Sequence, residues 1–164
     1  MPISTTKDLF LYELGIMRDI EDAGRELLRF LALQVRNSDL AQILRTHQED
    51  TDRHLRNIRS CLQALGVSPL ETPSEIVGGI RRRFEAFVQL APTPEMLDQF
   101  AIDTAIRYMH ICIAGYITLL DWAILMAETE CVQYLHANLI EEQESTSRLE
   151  RFSHEMGTRL LAPT

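Results

Sequence analysis

The sequence has little positive charge. Its 16 lysine and arginine residues face 24 aspartate and glutamate residues, so the formal net charge is −8. A general nucleic-acid binder needs a basic face to neutralise phosphates, and this balance argues against that class. The one basic run, Arg81–Arg83, is short and is interpreted as a solvated helix face. We therefore predict no nucleic-acid partner.

The sequence also has few cysteines. Cys61, Cys112 and Cys131 lie far apart and form no Cys-x-x-Cys motif. Their odd number and apolar neighbours favour buried, reduced thiols, which are usual in the cytosol. The amino terminus shows no charged segment followed by an apolar run, which is the pattern of a secretory signal peptide. Together these observations predict a cytoplasmic protein.

Long apolar runs are missing as well. The longest, Ile111–Leu120, is interrupted by Gly115 and Thr118. It is shorter than the roughly 20 residues that a membrane-spanning helix needs. We interpret it as a core helix and expect no membrane partner.

Glycine and proline, with 7 and 6 residues, lie mostly between the apolar stretches. Strand-type alternation of useful length and repeats of solenoid period are both missing. The apolar residues recur with a helical period instead. The predicted helices cover residues 5–36, 38–65, 73–90, 94–128 and 129–157. The short one follows a capping box at Thr72–Glu75, with proline at its first helical position.

The lengths of the connections favour one arrangement of the four long helices. The turn Asn37–Asp39 forces an antiparallel pair, whereas residues 67–93 form a long crossover. A short turn, then a long crossover, then a second short turn is the order of connections found in ferritin-like bundles. We predict an all-α single domain over residues 1–164, a ferritin-like four-helix bundle with a short helix in the crossover. A coiled-coil dimer of long hairpins is the alternative, and polar residues near the helix midpoints argue against it.

Polar residues interrupt the apolar stripe in three of these helices. Glu21 does so in the first helix and Glu142 in the fourth, and the second contributes His47 and His54. Midpoints of antiparallel helices meet at one level, so these residues form a belt. The third helix stays apolar, and its predicted stripe is Ile102, Ile106, Met109, Ile113, Tyr116, Leu120, Ala123 and Ala127. A buried carboxylate is costly unless it is paired or binds a metal.

The belt has about half of the ligands of a dinuclear metal site. Asp50 and His54 are one turn apart and can point at one ion, so they join Glu21 and Glu142 as predicted metal ligands. Carboxylate and imidazole suit iron, manganese or zinc, and iron or manganese is the candidate ion. A dinuclear site takes further Glu-x-x-His ligands, and Met109 supplies no charge. Any metal should therefore be substoichiometric, one ion per chain or fewer.

These residues resemble the motifs of the YciE/YciF-like group of small ferritin-like proteins. The similar segments are Thr6–Leu14, Asp19-Ile20-Glu21, Asp50-Thr51 with His54, Ala114-Gly115-Tyr116 and Glu141-Glu142. The sequence departs from the family at Met109-His110, where the family has Glu-His, and at Cys112, where it has an acid. The resemblance implies a ferritin-like bundle with Glu21 as first-helix ligand. It also implies links to stress responses, a frequent homodimer and a poorly defined activity.

Three functions stay open at this point. The first is a ferritin-like protein whose incomplete site holds one ion, with Tyr116 as a nearby proton or electron donor. The second is a metal-free bundle with a structural or interaction role. The third is an enzyme that binds a small organic substrate in the bundle core, with His47 or His54 as acid or base. A large apolar cavity beside Met109 would favour the third.

Apolar residues outside the core stripes predict a homodimer. They are Ile111, Ile117, Trp122 and Ile124 on the third long helix, with Phe84 and Phe87 in the crossover. Exposed together, they would form an unusually large apolar patch. Two-fold pairing is the commonest way to cover such a patch.

Overall fold

The computed structural model describes residues 2–68 and 71–163, which are helical along most of their length. The helices are α1 (Thr6–Gln34), α2 (Ser38–Ala64), α3 (Ile76–Val88), α4 (Pro94–Leu125) and α5 (Thr129–Leu161). No strand occurs in the described part of the chain. The predicted fold, an all-α four-helix bundle with a short crossover helix, is confirmed. α5 continues past its predicted end at residue 157, and residues 69 and 70 of the crossover lie outside the described residues.

The four long helices form a square in which neighbours are antiparallel. α1 packs on α2 and α4, and α5 packs on the same two helices. Gly24 faces Tyr108 and Met17 faces Gly115, so α1 and α4 run in opposite directions. α2 and α4 are diagonal to each other and run the same way. The chain between them must therefore travel the length of the bundle, which explains the long crossover.

Local signals fix the depth at which α1 and α2 begin. Thr5 caps α1, and Asp8 accepts the Thr5 backbone N–H at 2.9 Å, which completes a capping box. Asn37 caps α2 by accepting the Leu40 N–H at 3.0 Å. The buried carboxylate of Asp98 in α4 accepts two backbone N–H groups of the α1–α2 turn, at 2.8 and 3.0 Å. These bonds hold the turn against α4 and align the midpoints of the helices.

The crossover helix α3 covers the edge between α1 and α4 with aromatic side chains. Phe84 is fully buried, and its ring centre lies 5.7 Å from that of Phe30 and 6.1 Å from that of Phe100. Phe87 is half-buried and stacks on Phe100 at 3.9 Å. The assignment of Phe84 to a dimer surface is therefore wrong, because the chain itself covers this residue.

The predicted capping box before α3 does not form. α3 begins at Ile76, and its N-cap, Glu75, makes no side-chain capping bond. The Ser74 N–H, one of the groups that a cap at Thr72 would satisfy, donates to Asp19 Oδ2 of α1 at 2.7 Å. The contact with α1 thus uses the backbone N–H of Ser74, which the predicted capping motif would have bonded.

The predicted core stripe of α4 is confirmed in part. Ile102, Met109, Tyr116 and Ala123 are buried as expected. Ile106, Ile113 and Leu120 are only half-buried, and Ala127 is exposed. The helix also buries residues outside the predicted stripe, which include Ala101, Ala105, Tyr108, Cys112 and Leu119. α4 is apolar on almost every side, and a helix of this kind offers no polar face to set the phase. The difference matters because the buried side of α4 includes Tyr108.

α4 also leaves an apolar face on the outside of the bundle. Ile117, Ile124 and Leu125 are 51%, 56% and 72% exposed. By length and composition the helix could cross a membrane, since its mean hydropathy reaches 1.4, which the short run 111–120 did not suggest. Core helices of soluble proteins pass the same test, and α4 packs against α1, α3 and α5. We interpret α4 as a bundle helix whose outer face is open.

Cys61 and Cys131 form a disulfide that joins the end of α2 to the start of α5. The expectation of reduced thiols is wrong for this pair. Antiparallel packing brings the two Cα atoms within 4.8 Å although they are 70 residues apart, and this distance suits a disulfide. Cys112 is buried and free. The cysteines therefore no longer support a cytoplasmic location, which stays a prediction.

Candidate functional site

Two glutamates and two histidines meet at the centre of the bundle. Glu21 comes from α1, Glu142 from α5, and His47 and His54 from α2; all four side chains are buried. His54 Nδ1 lies 3.2 Å from Glu21 Oε1 and 3.4 Å from Glu142 Oε2. The structure thus brings Glu21, His54 and Glu142 together, and we refer to these three residues as the central triad.

Glu21 is held by two tyrosines of α4. Tyr108 donates its hydroxyl to Oε2 at 2.9 Å, and Tyr116 donates to Oε1. Both tyrosines are fully buried. His54 supplies a third donor, so both oxygens of the carboxylate are hydrogen-bonded. Donors of this kind stabilise the ionised form of a carboxyl group.

Glycine makes room for these contacts. A Cβ on Gly24, one turn after Glu21, would overlap the ring and hydroxyl of Tyr108. A Cβ on Gly115 would lie 2.7 Å from Met17 Sδ. The close approach of α1 and α4, and with it the Tyr108–Glu21 hydrogen bond, therefore requires glycine at position 24.

Glu142 is hydrogen-bonded on one oxygen only. Oε1 accepts from His47 Nε2 at 3.1 Å. Oε2 is buried and has no hydrogen-bond partner among the described residues, with His54 Nδ1 at 3.4 Å. A buried carboxylate oxygen without a donor is costly, and such atoms require an explanation. Oε2 is thus the atom of the site that most needs another partner.

Asp50, the fourth predicted ligand, lies outside the central triad. Its Oδ1 accepts from Arg53, and its Oδ2 accepts from the Ser145 hydroxyl at 3.2 Å. Oδ2 is also 3.8 Å from His47 Nδ1. In the described part of the chain, Glu21, His54 and Glu142 form the one group of three or more candidate ligands whose atoms all lie within 4.8 Å of one another. Asp50 therefore supports His47 rather than completing the group.

The neighbouring carboxylates favour the protonated form of both histidines of the cluster. Burial opposes the charge of His47, but the charge of Glu142 and the contact with Asp50 outweigh burial and raise the pKa of His47 to about 10. Burial also opposes the charge of His54, and the bond to Glu21 outweighs it, so the pKa of His54 is raised.

The pKa values of the two glutamates are shifted in opposite directions. Burial would raise the pKa of Glu21, but the bond and charge of His54 prevail and lower it. Burial raises the pKa of Glu142, and His47 offsets this only in part. Burial raises the pKa of Tyr108 and Tyr116 well above the usual value, so both hydroxyls keep their protons and donate. His47, whose pKa is raised to about 10, therefore offsets part of the carboxylate charge at neutral pH.

The arrangement fits one metal ion and not two. The central triad offers two carboxylates and one imidazole, a donor set that suits iron or manganese. A second ion would need a carboxylate from α4, and the α4 side chains that contact Glu21 are the protonated tyrosines Tyr108 and Tyr116. His110 lies on the outside of the bundle, with Nε2 2.7 Å from Glu150 Oε1.

Sequence reasoning missed two residues that connect the cluster. Tyr108 was missed because the predicted core stripe of α4 was too narrow. Asn138 is fully buried and donates to the Tyr116 hydroxyl at 3.2 Å and to the His54 carbonyl at 3.1 Å. It accepts from Asn57 at 2.7 Å. Asn138 lies one turn before Glu142 on the inner face of α5, and this spacing is the signal that could have found it.

Comparison with known protein families identifies the family of this chain. A family model described as a domain of unknown function (DUF892) matches residues 5–161. A search of curated proteins finds no match. The family model covers nearly the whole chain, from the cap of α1 to the end of α5.

Solved structures share the fold over the same length. YcfI from Rhodopseudomonas palustris, provisionally described as a structural protein, is 26% identical with a TM-score of 0.86, and covers 90% of this chain and 94% of its own. The Escherichia coli stress protein YciF is 20% identical with a TM-score of 0.90, covering 95% and 99%. A protein from Xanthomonas campestris pv. campestris is 18% identical with a TM-score of 0.75, covering 96% and 97%. The resemblance to YciF-like proteins is confirmed, and the chain belongs to the family of the domain of unknown function DUF892.

Proposed function

We propose that this protein is a ferritin-like bundle that binds one divalent iron or manganese ion per chain through the central triad. The observation that carries the proposal is the buried Oε2 of Glu142, which has no hydrogen-bond partner among the described residues. It faces His54 Nδ1 at 3.4 Å, and that nitrogen also faces Glu21 at 3.2 Å. A cation between these atoms would be bound by two carboxylates and one imidazole, a set that suits these metals.

The surroundings limit the site to one ion. Asp50 is engaged by Arg53 and Ser145, so it does not supply a further carboxylate. Tyr108 and Tyr116, which contact Glu21 from α4, add no negative charge. Two divalent ions would leave positive charge buried without compensation, which is strongly unfavourable.

The chain's own groups prepare the triad for such an ion. Tyr108 and Tyr116 orient the Glu21 carboxylate, and Asn138 orients Tyr116. Tyr116 keeps its proton and donates a hydrogen bond to that carboxylate. A bound iron or manganese ion would supply Lewis-acid or one-electron chemistry at this position.

Elemental analysis tests the proposal. Protein made without a chelating tag is loaded with Fe²⁺ or Mn²⁺, dialysed and analysed for metal per chain. We expect at most one ion per chain in the wild type and a loss of most of it in Glu142→Gln. Glu144→Gln changes an exposed acid of the same helix and is the matched control, which should keep the metal. Equal metal content in wild type and Glu142→Gln, or two bound ions, would overturn the proposal.

A metal-free structural role is the second candidate. It is favoured by the charge balance of the cluster, in which Glu21 already accepts three hydrogen bonds. The description of YcfI as a structural protein is provisional and concerns that protein. Loading that yields no metal above the Glu142→Gln background, in a protein with a cooperative thermal transition, would support this candidate instead.

We also propose that a second copy of the chain covers the outer face of α4. Ile117, Ile124 and Leu125 are at least half exposed on this face. A two-fold contact places identical patches against each other and removes them from water. Light scattering should give twice the chain mass of 18.8 kDa, whereas a mass near 18.8 kDa would reject the dimer. Ile117→Glu should dissociate it, and Leu33→Glu, an equally drastic change on exposed α1 surface, should not.

A further inference from the structure

A cavity of about 180 Å³ is lined by residues of all four long helices, and His47 of the cluster forms part of its wall. Its floor consists of the buried apolar side chains Leu28, Leu44, Met109 and Leu149. Its rim consists of the exposed or half-buried residues Gln42, Ile43, Thr46 and Arg148. The apolar cavity beside Met109 that an organic ligand would need is therefore present.

One polar atom in the wall of this cavity lacks a partner. His47 is 3% exposed, and its Nδ1 makes no hydrogen bond among the described residues, whereas its Nε2 is bonded to Glu142. The other buried polar groups of the wall are already paired, because Ser145 donates to Asp50 Oδ2 at 3.2 Å and accepts from Arg148 at 3.2 Å. Asp50 Oδ2 is 3.8 Å from His47 Nδ1, which is beyond hydrogen-bond distance, so an occupant of the cavity can supply the hydrogen bond that this nitrogen lacks.

We propose that this cavity binds a neutral single-ring molecule with one hydroxyl group, a phenol, whose ring lies on the apolar floor and whose hydroxyl bonds to His47 Nδ1. The size agrees, since an apolar cavity of about 150 Å³ accommodates benzene. A hydroxyl group both donates and accepts, so it satisfies this nitrogen with or without a proton.

The walls select against other classes of ligand. A carboxylate would meet the buried Asp50, whose Oδ2 is 3.8 Å from the same nitrogen, and the nearby Glu142. A hydrocarbon of the same shape fills the floor but leaves Nδ1 without a partner, which loses the hydrogen bond. A neutral hydroxyl compound avoids both penalties.

This inference does not rest on the proposed metal site. The cavity and the central triad share no residue, so protein treated with a chelator is the proper sample for the test. Failure to bind metal leaves the cavity intact, and failure to bind phenol leaves the metal content unchanged. The two proposals can therefore fail separately.

The test is a thermal unfolding titration of chelator-treated protein with phenol, toluene and benzoate. Phenol at ten times its Kd should raise Tm by about 3–6 °C for a protein of this size. Toluene, which has the same shape without the hydroxyl, should bind about tenfold more weakly. Phenol should also shift the imidazole nitrogen resonances of His47. Absence of a saturable rise with phenol, or equal affinity for toluene and phenol, would overturn the proposal.

Variants at the rim locate the site. Ile43 is half-buried and lines the cavity, so Ile43→Phe should fill part of it and reduce phenol binding at least tenfold. Ile80→Phe makes the same change at a half-buried position of α3 away from the cavity, and it should bind phenol like the wild type. Unreduced binding in Ile43→Phe, with its fold verified by circular dichroism, would show that phenol binds elsewhere and refute the assignment.

Discussion

Replacing Gly24 with alanine tests whether the Tyr108–Glu21 bond holds α1 to α4. An added Cβ would overlap Tyr108 Cε2, Cζ and the hydroxyl oxygen, so the ring has to move. The ring is fully buried, and its hydroxyl donates to Glu21 Oε2 at 2.9 Å. A displaced ring leaves that hydroxyl and one side of the carboxylate without partners. The substitution therefore strains the core and weakens the cluster at once.

The expected loss of stability has three parts. Overpacking of a core costs about 1–3 kcal/mol. Loss of a hydrogen bond to a charged group costs about 1.5–3 kcal/mol. Alanine favours the helix over glycine by about 1 kcal/mol and offsets part of the loss. The free energy of unfolding should fall by roughly 2–4 kcal/mol, which lowers Tm by about 5–15 °C in a domain of this size.

Urea unfolding followed by circular dichroism measures the effect. Gly157→Ala is the control, because nothing lies within 4 Å of an added Cβ there, and it should stabilise α5 by up to about 1 kcal/mol. Tyr108→Leu removes the ring atoms that the new Cβ would meet. In that background Gly24→Ala should cost much less, a coupling of more than about 1 kcal/mol. A neutral Gly24→Ala, or an equal cost in both backgrounds, would refute the reasoning.

Three further predictions follow from the cluster and its surroundings. The pKa of His47 is about 10 in the folded protein against 6.5 ordinarily, so its stabilising effect is complete below pH 6.5 and is lost as the pH rises through 10. Urea unfolding from pH 6 to 10 should show the free energy of unfolding falling, less steeply in His47→Gln; equal slopes would contradict this. Reduction of the disulfide that closes 70 residues should lower stability by about 4 kcal/mol, and Cys131→Ala should be insensitive to reductant in thermal unfolding. Met109→Glu should raise metal content by elemental analysis, because it adds a carboxylate on the buried side of α4; no gain would mean that one added carboxylate does not complete the site.

The sequence predicted the inner faces of α1, α2 and α5 because each of these helices has polar residues that set its phase. Glu21, His54 and Glu142 are buried at one level, where the stripes placed them. The sequence of α4 did not fully define its inner face, since isoleucines lie on every side of the helix. Which side faces inward is decided by neighbours that the sequence of α4 alone does not contain, such as Gly24 opposite Tyr108.

The same reason limits what could be predicted of the site. Pattern and spacing located the charged groups, because a charge inside an apolar stripe is conspicuous. They could not tell that Asp50 turns to Arg53 and Ser145, since both orientations are compatible with a helix. The Cys61–Cys131 pair was out of reach for a similar reason, because it depends on how far α2 and α5 slide past each other.

The central triad places a proton and a metal ion in competition for one position. His54 Nδ1 faces Glu21 Oε1 at 3.2 Å and Glu142 Oε2 at 3.4 Å, so its proton lies between two carboxylates. An ion bound by the triad needs the lone pair of that nitrogen, so this proton has to leave. The pKa of His54 is raised by Glu21 against the effect of burial, which makes the departure more costly at neutral pH. In the metal-free protein, a proton on this nitrogen therefore offsets part of the charge of the buried carboxylates. The structural role and the metal-binding role therefore differ in whether a proton or a metal cation occupies this position.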